Sequence, residues 1–251
     1  MRGPALLLGS LALLLAGCDD PPKKNPFDPP PDKAKQPPPI TEAPKPSGPP
    51  QLGIDTIGPK VGFARAMLEQ REGQANLRSE LEKNREHFAG KPSTLIVDRK
   101  AKLTHVAVFL EELGKLGSKP VTIKTETRKD YPAEVAFTPA NAVGDVPSCS
   151  VVAIVTEDRG TAVWKLSGGV AGKRGKGMAG PDLTMTGDTI ARNAKACEQS
   201  RTVFVSAAPE LDWGMAYDLA ASTKALEKAY FDAVVFLGQT PVPGHKVDLK
   251  R

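Results

Sequence analysis

More than half of the prolines in this chain lie in one stretch near its start. Of the 24 prolines, 13 fall between Pro21 and Pro50. A segment so rich in proline and charge, and so poor in apolar side chains, cannot bury enough surface to offset the entropy cost of ordering it. The sequence therefore predicts a disordered tether over residues 18–58, and it predicts that the folded domain comes later. In a polyproline II conformation of ~3.1 Å per residue, such a tether could reach on the order of 100 Å.

The first 17 residues have the pattern of a secretory signal peptide. Arg2 supplies a positive charge, and the run from Ala5 to Gly17 is apolar over 13 residues. A run of this length is too short to cross a hydrocarbon core, which needs about 20 residues. Residues 1–17 are therefore predicted to be a cleaved export signal and not a transmembrane helix.

The end of this run, Leu15-Ala16-Gly17-Cys18, resembles the lipobox of bacterial lipoproteins. The resemblance implies cleavage before Cys18 and acylation of that cysteine, with palmitate as one of the acyl groups, so that a lipid anchor holds the chain on the membrane. Several acyl chains give stable anchoring, because each buried methylene contributes about 0.8 kcal/mol. An ordinary cleaved signal followed by an unmodified cysteine is the alternative. Asp19 resembles the inner-membrane retention signal of enterobacterial lipoproteins and slightly favours the inner membrane.

The globular domain is predicted over residues 91–240, a length of about 150 residues that is enough for one core. Residues 241–251 are assigned to a C-terminal tail. Residues 59–90 are predicted to be a helical connector, because apolar side chains recur among charged ones there, although Gly73 interrupts the stripe. Docking of this connector on the domain and solvation of it are both open. Its apolar residues are Phe63, Met67, Leu77, Leu81 and Phe88.

Two strand-helix-strand units are predicted within the domain. The first has strands over residues 94–97 and 121–125 around a helix over residues 103–116, and the second has strands over residues 202–205 and 233–237 around a helix that begins near Leu211. Connections of this length suit right-handed crossovers between parallel strands. The units align at a constant offset of 108, which pairs Leu95 with Val203 and Leu103 with Leu211 and predicts an internal repeat.

A β-hairpin is predicted between the two units. Residues 149–155 and 161–166 are apolar runs that flank the charged turn Glu157-Asp158-Arg159-Gly160. A short helix is predicted over residues 186–197, with Thr186 as its cap. The predicted fold class is therefore α+β, or mixed α/β, in which two β-α-β units and a hairpin form a mixed sheet with helices packed on it.

The paired units resemble the periplasmic domain of the ExbD/TolR family of biopolymer transport proteins. The first unit reads LIVDRKAKLTHVAVFLEELGKLGSKPVTIKT, with Asp98, Leu103, Val106, Gly117 and Val121 at the positions of the family pattern. In the second unit, Ser206 takes the place of the aspartate. The resemblance covers about 75 of the 251 residues and implies a domain that contacts peptidoglycan or partner proteins, ExbB/TolQ-like membrane proteins among them, and that forms a homodimer in some members.

One departure from the family bears on mechanism. Family members carry a transmembrane helix with an aspartate that takes part in ion flow, whereas the 13-residue run of this chain contains no acid. A lipid anchor cannot replace a proton-binding carboxylate within the membrane. The resemblance therefore implies the soluble half of the family's function without the motor half.

The motifs of common catalytic and metal sites are absent from the sequence. There is no Gly-x-Ser-x-Gly elbow, and His87, His105 and His245 are scattered without a His-Glu-x-x-His or Cys-x-x-Cys partner. No catalytic residue, metal site or cofactor is predicted, and the chain is predicted not to be an enzyme. An envelope enzyme that acts on glycan or lipid, with a site assembled from distant residues, is the alternative.

The glycine-rich stretch from Gly168 to Gly180 does not have the spacing of a phosphate-binding loop. It carries Lys173, Arg174 and Lys176, which are predicted to form a mobile loop that meets an anionic ligand; a flexible hairpin whose charges only maintain solubility is the alternative. The formal net charge is +5, and export makes anionic envelope polymers a better counterpart for it than nucleic acid.

Cys149 and Cys197 are the two cysteines that remain when Cys18 is acylated. A pair of cysteines in an exported domain favours a disulfide, with two buried free thiols as the alternative. The sequence thus predicts a lipid-anchored cell-envelope protein with its domain in the periplasm, which binds peptidoglycan or envelope proteins.

Overall fold

The computed structural model describes residues 48–178 and 180–249, and within them the fold is mixed α/β. The predicted signal peptide, Cys18 and most of the proline-rich stretch lie outside the described residues. The strands are β1 Leu52–Ile54, β2 Pro59–Val61, β3 Ala64–Arg65, β4 Ser93–Val97, β5 Val121–Lys124, β6 Glu134–Thr138, β7 Val151–Val155, β8 Thr161–Lys165, β9 Gly172–Arg174, β10 Lys176–Gly177, β11 Gly180–Pro181, β12 Thr202–Ala207 and β13 Ala233–Phe236. The helices are α1 Gly73–Lys83, α2 Arg85–Phe88, α3 Leu103–Lys115, α4 Leu183–Lys195 and α5 Trp213–Lys224, with a 3-10 turn at Ala140–Ala142.

The strands of the described segments form one 11-stranded mixed sheet and a separate two-stranded one, β10-β11. The order in the large sheet is β3-β2-β1-β4-β5-β6-β13-β12-β7-β8-β9. Both predicted β-α-β units are present, because β4 and β5 are parallel around α3, and β12 and β13 are parallel around α5. The predicted hairpin is also confirmed, since β7 and β8 pair in antiparallel register.

The strand order reads the same from both edges toward β6. On each side a parallel trio (β1, β4 and β5, or β7, β12 and β13) is extended at its outer edge by two antiparallel strands. Because β5 is antiparallel to β6 while β13 is parallel to it, the two trios run in opposite directions. This is the arrangement that a two-fold axis perpendicular to the sheet produces. The internal repeat therefore extends well beyond the two predicted units.

The offset between the repeats is 110 and not 108. The amide of Asp98 donates to Ile54 and the amide of Ala208 donates to Val155, both at 2.9 Å. The residues just before α3 and α5, Lys102 and Asp212, form a β-bridge with each other. At this offset the counterpart of Asp98 is Ala208, so Ser206 is wrong as the equivalent of that aspartate. The error arose because apolar residues recur at several neighbouring offsets.

The domain is larger at both ends than residues 91–240. Strands β1 to β3 belong to the main sheet, so part of the predicted tether and of the predicted connector is sheet. Helices do form over 73–83 and 85–88, and Leu77 and Leu81 of α1 are buried. A Cβ at Gly73 would clash with the carbonyl of Met67, which explains the glycine at the helix start.

Helix α1 is held on α3 by a buried carboxylate. Glu112, on α3, is 2% exposed and accepts hydrogen bonds from Arg78 at 2.9 Å, Gln74 at 3.1 Å and Lys115 at 3.0 Å. Burial alone would raise the pKa of Glu112, but these donors outweigh it and lower the pKa to about 2. The predicted connector is thus docked on the domain.

Helix α4 begins three residues before the predicted start. Asp182 is the N-cap, and its side chain accepts from the amide of Met185 at 3.0 Å. Thr186 instead donates its hydroxyl to the carbonyl of Asp182. Thr186 is therefore inside the first turn and is not the cap.

The two faces of the sheet are covered differently. One face carries α1, α3, α4 and α5 and contains the larger core cluster, with Trp213, Tyr217, Phe109 and Phe137 fully buried. The opposite face has a second cluster only on the β7-β8-β12-β13 half. The segment that follows β6 and the C-terminal residues Val247 and Leu249 cover this cluster. The predicted tail is thus partly a core element.

No helix among residues 48–178 and 180–249 is long and apolar enough to span a membrane.

Candidate binding cleft and open sheet face

A cleft of about 1020 Å³ lies where the first parallel trio ends. Asp55 follows β1, Asp98 follows β4 and Glu126 lies just after β5, and all three line the cleft. The start of α5 contributes Asp212 and Gly214 from the other repeat. In open α/β sheets, ligands bind in crevices at the carboxyl ends of parallel strands. The position of the cleft therefore makes it the leading candidate site.

The cleft continues onto a part of the sheet that no described segment covers, which we call the open face. Residues in register lie on the same side of a sheet, and the register pairs Lys60 with Gly53, Gly53 with Ile96, Ile96 with Lys124, and Lys124 with Glu134. This row crosses β2, β1, β4, β5 and β6. Gly53 supplies no side chain, and Ile96 is 45% exposed at the middle of the row. The open face is therefore a shallow polar surface with one apolar side chain at its centre.

The equivalent half of the same face is apolar and covered. The registers place Ile154 and Ala162 where the first repeat has Gly53 and Lys60. Trp164 pairs with Val152, and their counterparts are Gly62 and Gln51. The side chains of Val152, Ile154 and Trp164 are all buried in the second cluster. The two halves of one face thus differ in chemistry although their backbones correspond.

Several charges of the cleft are already paired within the protein. Asp55 accepts from Arg65 through both carboxylate oxygens and lies 2.6 Å from Nζ of Lys60. The Arg65 guanidinium beside it holds the pKa of Asp55 well below its usual range. Lys124 and Glu134 form a salt bridge at 2.8 Å across β5 and β6.

The remaining charges of the cleft are mostly negative. Three carboxylates that line the cleft, Asp98, Glu126 and Asp212, form no salt bridge with any described residue. Among the lining cations, Lys100 also forms no salt bridge with a described residue. Asp98 accepts from the amide of Lys100 at 2.8 Å, which fixes the turn after β4. The side chains left to meet a ligand therefore favour a positively charged one, although the whole chain has a formal net charge of +5.

One wall of the cleft is fixed by an ion pair between the repeats. Arg99 donates to both oxygens of Asp218 on α5, at 2.8 and 2.9 Å, and Asp218 is 2% exposed. Thr127 donates to the same carboxylate at 3.0 Å, and Arg128 lies 3.4 Å away. A Cβ at Gly214 would touch the Arg99 guanidinium, so the glycine allows α5 to approach it. The wall is thus preorganised by contacts between distant parts of the chain.

The cleft supplies charged and hydrogen-bonding groups from both repeats. Within the described segments, no group of three or more His, Cys, Asp or Glu side chains could hold a metal ion. The buried His105 is 3.0 Å from Glu69, and no described serine, threonine or cysteine side chain donates to a histidine. Lys102 donates to Glu69 at 2.6 Å and lowers the pKa of that carboxyl to about 2, so Glu69 is held in an ion pair at the start of α3.

The structure separates the three basic residues predicted to form an anion-binding loop. Lys173 and Arg174 are adjacent in the edge strand β9, so their side chains point to opposite faces, and Arg174 is turned toward Thr189 of α4 at 3.4 Å. Lys176 is in β10. The three cations are thus divided between two short strands and do not lie in one loop, and their binding of an anionic ligand stays a prediction.

The predicted disulfide is present. Cys149 and Cys197 are joined, with their Cα atoms 5.7 Å apart, and the bond links the start of β7 to the end of α4. Cys18, the predicted lipidation site, lies outside the described residues.

Sequence patterns missed most of the cleft. Only Asp98 stands out in the sequence among its residues, and β1 falls in the predicted tether and β2 and β3 in the predicted connector, because these strands are two or three residues long. The cue that was available is the run LGIDTIGPKVGF, in which glycines and an aspartate separate short apolar pairs as in a tight meander.

No protein-family model matches this sequence, and a search of curated proteins finds no match.

Proposed function

We propose that this chain is a non-enzymatic cell-envelope adaptor, anchored by lipid at Cys18, whose domain binds peptidoglycan or an envelope protein through the cleft and the open face. The observation that carries the proposal is the difference between the two halves of one sheet face. One half is apolar and covered by the chain itself, and the other is polar, left uncovered by the described residues and continuous with a cleft. A surface of this kind suits a reversible contact better than a permanent one, since little apolar area is available to drive it.

The kinship with ExbD/TolR-like periplasmic domains is part of the proposal. It is supported by the two parallel β-α-β units and by the Asp98 turn, which opens into the cleft. An accessory role beside a biopolymer transport system follows from that kinship, without the ion-conducting step, because the apolar run of residues 5–17 contains no acid. Homodimerisation, which the kinship also implies, remains part of the proposal.

The proposed location is the periplasmic side of the envelope, with the inner membrane slightly favoured by Asp19. The lipobox-like run before Cys18 and the proline-rich stretch after it support this location. Mass spectrometry of the native protein tests the anchor: an acylated chain that begins at Cys18 is expected, and an unmodified chain that retains Met1 would contradict it.

The binding proposal is tested with two matched substitutions. Ile96→Asp adds a charge at the centre of the open face, and Met185→Asp adds one on α4 at a side chain of nearly equal exposure, 45% against 44%. We expect Ile96→Asp to reduce co-sedimentation with peptidoglycan sacculi, or co-purification with ExbB/TolQ-like membrane proteins, at least tenfold. Met185→Asp should bind as the unsubstituted chain does.

Equal binding by both variants would show that the open face is not the contact surface. The enzymatic alternative has its own signature in the same experiment. Release of soluble fragments from sacculi by the unsubstituted chain, and its loss in Asp98→Asn, would favour an envelope enzyme that uses the unpaired carboxylates of the cleft.

A further inference from the structure

We infer that the open face receives an extended, positively charged polypeptide segment, and that each chain binds one such segment. This inference rests on the proposed function and specifies the ligand of its site. Three features carry it: the way in which the chain covers its own second half, the charges left unpaired in the cleft, and the loss of the equivalent site in the second repeat.

The C-terminal segment shows how a polypeptide occupies this face. The amide of Val247 donates to the carbonyl of Leu166 at 2.9 Å, and the indole of Trp164 donates to the carbonyl of His245 at 2.9 Å. Val247 and Leu249 pack on the second cluster, whereas Lys246 and Asp248 are exposed. This alternation is that of an extended chain. One half of the face is thus already covered by an extended segment.

The first half offers the same backbone frame with space above it. The positions equivalent to Ile154 and Trp164 are Gly53 and Gly62, so two large side chains are replaced by none. Gly62 has a φ of 60°, in the left-handed region, and precedes Phe63, which is fully exposed at the turn between β2 and β3. Ile96 gives an incoming segment an apolar contact at the centre of the open face.

The charge of the segment follows from the cleft. Among the described residues, the carboxylates Asp98, Glu126 and Asp212 form no salt bridge, against one such lining cation, Lys100. The other lining cations, Lys60, Arg99 and Lys124, are engaged by carboxylates of the protein itself. Lysine or arginine side chains on the segment would complement the three carboxylates, and an anionic glycan would meet them at a cost. A segment that alternates apolar and basic residues fits both the open face and the cleft.

The stoichiometry follows from the second repeat. At the position of Asp98 it has Ala208, and at the position of Lys124 it has Leu237, which is buried under the chain's own covering segments. The second site therefore lacks the charges of Asp98 and Lys124, and the chain's own segments fill it. Of the two equivalent sites on the sheet face, one therefore remains open to a ligand, which gives one bound segment per chain.

Isothermal titration calorimetry on the mature chain in mild detergent tests this inference with three probes. They are a capped octapeptide of alternating Lys and Val, the same peptide with Glu in place of Lys, and tetrameric N-acetylglucosamine. We expect the Lys-Val peptide to bind at one site per chain and the other two probes to bind at least tenfold more weakly. The double variant Asp98→Asn, Asp212→Asn should weaken the Lys-Val peptide at least tenfold.

The matched control is Asp188→Asn, because Asp188 is an exposed carboxylate on α4 that forms no salt bridge within the described part of the chain, and the substitution should leave the affinity unchanged. Two sites per chain, equal binding of the Glu-Val peptide, or no binding of the Lys-Val peptide would each overturn the inference. If the sugar binds instead and Ile96→Asp abolishes that binding, the ligand is wrong and the proposed function stands. If none of the probes binds and sacculi and membrane proteins also fail to bind, both are wrong.

Discussion

Asp218→Asn tests the ion pair that joins the two repeats beside the cleft. In the folded chain the Asp218 carboxylate accepts two hydrogen bonds from Arg99 and one from Thr127, with Arg128 at 3.4 Å. Asparagine has nearly the same shape but is neutral, and its amide group would point a donor at a guanidinium. The substitution therefore removes the acceptor charge and leaves two cations beside a buried amide.

The size of the effect follows from the burial of the partners. Removing one partner of a fully buried pair costs about 3–5 kcal/mol. Arg99 and Arg128 are 31% and 35% exposed, so water can solvate them in part, which lowers the estimate. Hydrogen bonds to charged groups contribute about 1.5–3 kcal/mol. We expect Asp218→Asn to lower the free energy of unfolding by about 2–3 kcal/mol.

Urea unfolding at pH 7 measures the change, and the denaturant slope m should stay the same because the surface exposed on unfolding does not change. Asp232→Asn is the matched control, since Asp232 also accepts from an arginine, Arg201, but is 71% exposed. Exposed pairs contribute little, so this control should unfold near the midpoint of the unsubstituted chain. Equal shifts for the two variants would refute the claim that the repeats are held together by the buried carboxylate.

Three further perturbations probe other contacts of the domain. The pKa of Glu112 is lowered from 4.5 to about 2, so the ionised carboxylate should contribute about 3 kcal/mol to the free energy of unfolding above pH 4.5, and this contribution should be lost as the pH falls toward 2. Across this pH range the urea midpoint of Glu112→Gln should change less than that of the unsubstituted chain. Val247→Asp should lower the free energy of unfolding by about 1–3 kcal/mol, because it places a charge against the second cluster, and Val242→Asp, at a site 60% exposed, should change the urea midpoint little. Reduction of the Cys149–Cys197 bond, which closes a separation of 48 residues, should cost roughly 4 kcal/mol on the chain-entropy model, and the urea midpoint of the double Ala variant should not respond to reductant.

Long periodic segments were predictable from the sequence. Apolar residues at helical spacing predict the helix over Leu103–Lys115. Continuous apolar runs predict β7 and β12, because strands that are buried on both faces have apolar side chains at successive positions. The hairpin at Glu157-Asp158-Arg159-Gly160 follows from turn chemistry, and the structure has Arg159 at a φ of 61° there. In each case the local signal and the tertiary environment agree.

The short strands and the cleft were not predictable in the same way. Strands β1 to β3 are two or three residues long, and they are strands because β1 pairs with β4 about 40 residues later in the chain. The cleft brings Asp55, Asp98 and Asp212 together only after the two repeats dock. A periodicity argument detects what one segment prefers, whereas these features depend on which segments meet.

The fusion of two repeats in one chain explains why the two halves of the face can differ. In a symmetric homodimer the same residue appears in both subunits, so a bare polar face in one subunit requires a bare polar face in the other. Here Gly62 and Trp164 occupy equivalent positions with independent identities, so one half can be filled and buried while the other remains open. The filled half contributes apolar burial to stability, and the open half leaves the cleft carboxylates accessible. Trp164→Gly should therefore lower stability and leave binding at the open face intact. Ile96→Asp should weaken binding at the open face and leave stability unchanged. Thermal unfolding and binding, both measured on these two variants, separate the roles of the two halves.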